Sequence, residues 1–68
     1  MTGRDLKTGD EIQFFAVPFG SYASVLTRYR VERSKNPKAD IRLVNVHTGS
    51  STFDSVRAFR GASFEKLN

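Results

Sequence analysis

The chain contains no cysteine, so neither a disulfide nor a thiolate metal site can hold it together. It contains one histidine, whereas metal sites and catalytic triads need several convergent groups. No apolar run approaches the roughly 20 residues of a membrane span. The longest, Phe14 to Phe19, carries Pro18 and stops at Gly20. Met1 to Lys7 is charged with no apolar segment behind it, which is not the pattern of a signal peptide. Internal repeats and low-complexity tracts are missing as well. The expectation is a soluble protein acting in the cytoplasm where it is made, or in the host cytoplasm if the chain is viral.

Catalytic motifs are also wanting. Gly3, Gly9, Gly20, Gly49 and Gly61 are widely spaced, and none opens a P-loop or a dinucleotide fingerprint. Asp54 and His47 have serines around them but no nucleophile elbow or oriented base. The seven carboxylates are scattered; Asp10-Glu11 reads as turn and strand-opening chemistry, and His47 as a strand residue near a turn. The sequence predicts a non-catalytic protein with no cofactor and no metal.

What is present fits one small domain over residues 1–68. A chain of this size buries only roughly 60% of its unfolded surface, so its core is marginal. Leu, Ile, Val and Phe supply 18 of the 68 residues, above the ~20% below which disorder is expected. The chain should fold, with packing or self-association supplying the stability that staples cannot.

Gly and Pro fall between short alternating segments, as in an all-β domain. Thr8-Gly9-Asp10 is a turn, followed by a strand over Glu11 to Val17 with Ile12, Phe14 and Ala16 on one face. Pro18 ends it. Beyond Phe19-Gly20-Ser21, Tyr22 to Arg33 alternates throughout. Its odd positions Ala23, Val25, Thr27, Tyr29 and Val31 point inward, and Tyr22, Ser24, Leu26, Arg28, Arg30 and Glu32 point outward. Ser34 to Lys38 is a loop. Asp40 to Thr48 is the next strand, and a hairpin between the two must oppose odd with odd, such as Val31 with Ile41 or Leu43. Val44 and Val46 break parity with Ile41 and Leu43, which calls for a bulge or for a strand covered on both faces; the covered strand is favoured. Thr48-Gly49-Ser50 turns. Phe53, Val56 and Phe59 recur every three residues, so Thr52 to Arg60 reads as a short helix with a strand as the alternative. Ser51 or Thr52 would cap the helix and Gly61 would sit at C′. Ala62 to Leu67 adds a last strand. Val25, Val31, Leu43, Val56, Phe59 and Phe64 are expected in one core.

The string Leu6-Lys7-Thr8-Gly9-Asp10-Glu11-Ile12 resembles the polar turn and strand that open small SH3-like barrels. The resemblance implies such a barrel, or a strongly bent antiparallel sheet of 4–5 strands, with one short helix near the C-terminus. That fold hosts nucleic-acid readers, peptide binders and structural modules, so it fixes no function. In size and style the chain also resembles short accessory proteins of bacteriophages.

Charge is the informative pattern. Between residues 28 and 42 lie Arg28, Arg30, Arg33, Lys35, Lys38 and Arg42 against Glu32 and Asp40, which accounts for the whole net charge of +4. Arg28 and Arg30 share a strand face about 7 Å apart, similar to the spacing of phosphates along a nucleic-acid strand, and Tyr22 shares their parity and could stack on a base. This predicts weak, largely sequence-independent binding of nucleic acid, duplex DNA first. The alternative is a protein interface formed by Tyr22, Leu26, Val44 and Val46, serving a homodimer or an acidic host protein. Glu32 is a candidate ion-pair partner for Arg30, Arg33 or Arg42.

Overall fold

The computed structural model describes residues 5–18, 20–36 and 38–68; the charged opening before Asp5, Phe19 and Pro37 lie outside them. Five strands form: β1 (Glu11–Ala16), β2 (Arg28–Arg33), β3 (Ile41–Asn45), β4 (Ser51–Asp54) and β5 (Ser63–Lys66). A 3₁₀ turn, Val56–Gly61, links β4 to β5. All pairings are antiparallel, in one sheet ordered β4-β3-β2-β1-β5. The sheet is open, with β4 and β5 at its edges. Among the described residues no helix is long and apolar enough to cross a membrane.

Residues directly opposite one another share a face, so the register sorts the sheet. Ile12 opposes Tyr29, Val31 opposes Leu43 and Phe14 opposes Phe64. Ile12, Phe14, Val31, Ile41 and Leu43 are fully buried on this inner face, each contributing on the order of 2 kcal/mol. The odd-with-odd hairpin expected from the sequence is the one observed. The 3₁₀ turn carries the chain across the inner face and lays Phe59 edge-on against Phe14 and Phe64, with ring centroids 5.5 Å apart in both pairs. Val56 and Phe64 pack against this core, half-buried.

Val25 does not belong to it: the residue is 50% exposed. The long strand expected over Tyr22 to Arg33 begins only at Arg28, because Leu26 adopts a left-handed backbone with φ 58°. That conformation is costly for a side chain with a Cβ and breaks the alternation. The preceding loop folds back instead of pairing. The Leu26 N–H donates to the Phe14 carbonyl at 2.9 Å, the Ser24 N–H to the Tyr29 hydroxyl at 2.8 Å, and the Ser21 hydroxyl to Asp54 Oδ2 at 2.8 Å. Tyr22 and Leu26 therefore do not stand on the arginine face as strand residues.

Other differences have equally local causes. A register shift between Phe14 and Ala16 turns Ala16 to solvent, where the sequence pattern has it inward, and β1 stops one residue short of Val17. Asn45 ends β3 before Thr48: its side-chain carbonyl accepts the N–H groups of His47 at 2.8 Å and Thr48 at 3.2 Å. The covered-strand reading holds for Val44, which lies on the outer face opposite Arg30 with no shift in register, yet is only 9% exposed. Val44 is thus not an accessible interface residue, whereas Val46, in the turn, is 37% exposed. Thr52 to Arg60 divides between strand and 3₁₀ turn. Ser51 and Thr52 belong to β4 and cap nothing; the Val56 N–H at the start of the turn donates to Asp40 Oδ1 at 3.0 Å. Gly61 lies inside the 3₁₀ turn without the positive φ expected of a C′ glycine.

Candidate nucleic-acid interface

The six cations between residues 28 and 42 divide into three environments. On the outer sheet face the register places Arg30 opposite Glu11, Arg28 opposite Gln13 and Glu65 opposite Gln13 from the other side. Glu32 opposes Arg42, which opposes Phe53. Arg28, Arg30 and Arg42 consequently share this face with Glu11, Glu32 and Glu65, three charges of each sign. Two arginines are tied down: Arg28 Nε lies 3.4 Å from Glu11, and Arg42 donates to Glu32 at 3.2 Å with its guanidinium 6.0 Å from the Phe53 ring centre. Among Glu32's candidate partners, Arg42 is the one in contact. Arg30 has no ion-pair partner among the described residues.

Arg33 points the other way, since it opposes Ile41. Its guanidinium donates to the Leu6 carbonyl at 2.9 Å and lies 3.5 Å from Asp40. It pins the chain ahead of β1 to the end of β2 and acts as a structural cation. Asp40 holds two elements at once, Arg33 through Oδ2 and the 3₁₀ turn through Oδ1.

Lys35 and Lys38 in the β2–β3 loop are exposed, and neither has an ion-pair partner among the described residues. Asn36 shapes this loop, its side-chain carbonyl accepting the Lys38 N–H at 3.0 Å. Because Asp40 anchors Val56, the 3₁₀ turn comes alongside, and Lys38 and Arg57 line one cleft with Asp40, Ser55 and Val56. Arg57 was not legible as a site residue. It lies far along the chain from the basic segment, and the Asp40–Val56 bond helps bring it near.

Two carboxylates titrate away from their ordinary value. Asp10 is held low, chiefly by the Lys7 N–H donating to it at 2.9 Å and further by Lys66 Nζ at 3.5 Å. Asp54 is pushed up by burial, against which the Ser21 hydroxyl bond acts. Both serve the architecture, Asp10 at the first turn and Asp54 beneath the β1–β2 loop. Exposed His47 lies in the β3–β4 turn, and among the described residues no three His, Asp or Glu side chains converge as metal ligands would.

Compared with protein-family models, with curated proteins and with solved structures, the chain matches none.

Proposed function

We propose that this protein is a non-catalytic domain that binds nucleic acid through phosphate contacts, with little dependence on sequence. The carrying observation is that Lys38 and Arg57, neither with an ion-pair partner among the described residues, line one cleft where the β2–β3 loop meets the 3₁₀ turn, with Lys35 exposed in the same loop. Cations without a partner break no existing ion pair when they engage phosphate, and they release its counterions. Arg30 supplies a fourth free cation on the outer face. Arg28, Arg33 and Arg42 contribute less, because each is engaged by a carboxylate.

We also infer that the sheet is a member of the SH3-like barrel class. Three features support this: β1 sits between β2 and β5, the one crossing segment is a 3₁₀ turn between β4 and β5, and the core lies on a single inner face.

The test is binding of labelled duplex and single-stranded DNA over a salt series. Four phosphate contacts imply a log–log salt slope of about −3.6 on duplex and about −2.8 on single strands. A protein that retains neither at ~50 mM salt, where the electrostatic attraction is strong, refutes the proposal.

A second reading has an observation of its own. Leu26 is 68% exposed while held in a left-handed backbone, and Phe15 in the neighbouring strand is 54% exposed. Apolar exposure combined with backbone strain suits a protein interface, with a second copy or another chain.

A further inference from the structure

The β1–β2 loop carries Tyr22 away from the arginine face and over a separate cleft of about 380 Å³, lined by Tyr22, Tyr29, Asn45, Thr48, Ser51 and Thr52 among others. That lies within the range of small-ligand clefts, roughly 300–1,000 Å³. Among the described residues, none of those lining it is charged at neutral pH. In a protein with 11 basic and seven acidic residues, a neutral cleft of this size selects for an uncharged group.

The groups it offers can be counted. Tyr22 is 91% exposed, so its ring presents an open π face. The Tyr29 hydroxyl accepts the Ser24 N–H at 2.8 Å, which leaves its own O–H free to donate into the cleft. The Asn45 carbonyl is occupied by the N–H groups of His47 and Thr48, so its NH₂ is the part left for a ligand. Ser51 and Thr52 add hydroxyls able to donate or accept. A flat π surface beside two directed donors and two adaptable hydroxyls matches a nucleobase, which is planar, uncharged and edged with acceptors and donors.

We propose that this cleft holds one unpaired base of a single-stranded nucleic acid, stacked on Tyr22 and contacted along its edge by Asn45 and Tyr29. The inference rests on the phosphate-binding reading above, to which it adds a preference for single strands over duplex. In a duplex the base is already stacked and its edge is paired, so it cannot enter.

The test compares the full chain with its Tyr22→Ala variant and with Lys35→Ala/Lys38→Ala/Arg57→Ala, each titrated with a short oligothymidylate and with a duplex. Amide chemical shifts give the contact site and fluorescence anisotropy gives the affinity. Tyr22 packs against little, so its replacement leaves the fold intact, which the unaffected amide shifts confirm. The expected result is that Tyr22→Ala weakens oligothymidylate binding about five- to tenfold, as loss of one stacked base does, while duplex affinity and salt slope stay unchanged. The Asn45 side-chain amide should shift with oligothymidylate and not with duplex. Equal loss on both ligands, or no loss on either, overturns the stacked base while leaving phosphate binding in place. A shift of the Asn45 amide with a neutral oligosaccharide and none with oligothymidylate also overturns it, in favour of a sugar site. A wild-type chain that binds neither DNA at ~50 mM salt defeats the phosphate reading, and this inference with it.

Discussion

Two parts of the molecule carry cations of the same kind, and they differ in what surrounds them. On the outer sheet face Arg28 and Arg42 stand within 3.4 Å and 3.2 Å of glutamates, on a surface whose six charges sum to zero. In the β2–β3 loop and the adjoining 3₁₀ turn, Lys35, Lys38 and Arg57 have no such partners among the described residues. Charge counted along the chain locates the basic segment, but charge presented to a ligand depends on the strand register. Pairing places Glu11 of β1 beside Arg28 and Arg30 of β2, and no composition window covers residues that far apart.

Neutralising each region separately tells the two apart. Lys35→Ala/Lys38→Ala/Arg57→Ala should weaken DNA binding at least about tenfold at low salt and flatten the salt slope by about two to three. Arg28→Ala/Arg42→Ala should change affinity less than about threefold, because those cations are already compensated and exposed ion pairs are individually weak. If the two variants lose affinity equally, the distinction between the regions fails.

The second test acts on the joint that assembles the free region. Asp40→Ala removes the acceptor of the Val56 N–H and the partner of Arg33. It should cost about 1–2 kcal/mol, lowering the melting temperature by about 5–10 °C in a domain of this size. Asp40→Asn keeps an acceptor for Val56 and should lose about half as much. Equal melting of Asp40→Ala and the wild type would show that the loop and turn are held by something else.

Legibility in the sequence followed how local the deciding interaction was. Ile12, Phe14, Tyr29, Val31, Ile41 and Leu43 were readable as an inward set because alternation is a property of neighbouring residues, and the hairpin register followed from keeping those faces together. The turns at Gly9 and Gly49 were readable because positive φ favours glycine. Leu26 was not, since nothing in its side chain announces a left-handed backbone, and the alternation through Tyr22 to Thr27 was fortuitous. The 3₁₀ turn was half legible. The three-residue spacing of Val56 and Phe59 was visible, but the group that starts the turn is Asp40, 16 residues earlier. For the site, the basic loop was visible and Arg57 was not.

Leu26 offers a smaller test, which bears on the interface reading. Leu26→Asn replaces an exposed apolar side chain with one that tolerates the left-handed region. Stability should stay level or rise by up to about 1 kcal/mol as the left-handed penalty is relieved, and any self-association seen by sedimentation at high concentration should weaken. Unchanged association with lowered stability would show that Leu26 packs within its own chain.

The smallest effect expected is a pH dependence carried by the β1–β2 loop. Burial raises the Asp54 carboxyl, so the folded protein keeps that proton to higher pH than the unfolded chain does. The contribution from this group is fully present below the unfolded value and is lost as pH rises through the raised one. Asp10 runs in the opposite sense. Its lowered carboxyl stabilises the fold above the ordinary carboxylate value, and that contribution is lost as pH falls through the lowered one. The two contributions therefore run in opposite senses on either side of the ordinary carboxylate value. Asp54→Asn keeps an acceptor for the Ser21 hydroxyl and carries no charge at any pH. It should remove the rise on the acid side and melt slightly above the wild type at pH 7, measured by thermal denaturation across the pH range. An Asp54→Asn variant that melts below the wild type at pH 7 would mean that the ionised carboxylate itself, through its bond from Ser21, is what holds the loop over the sheet.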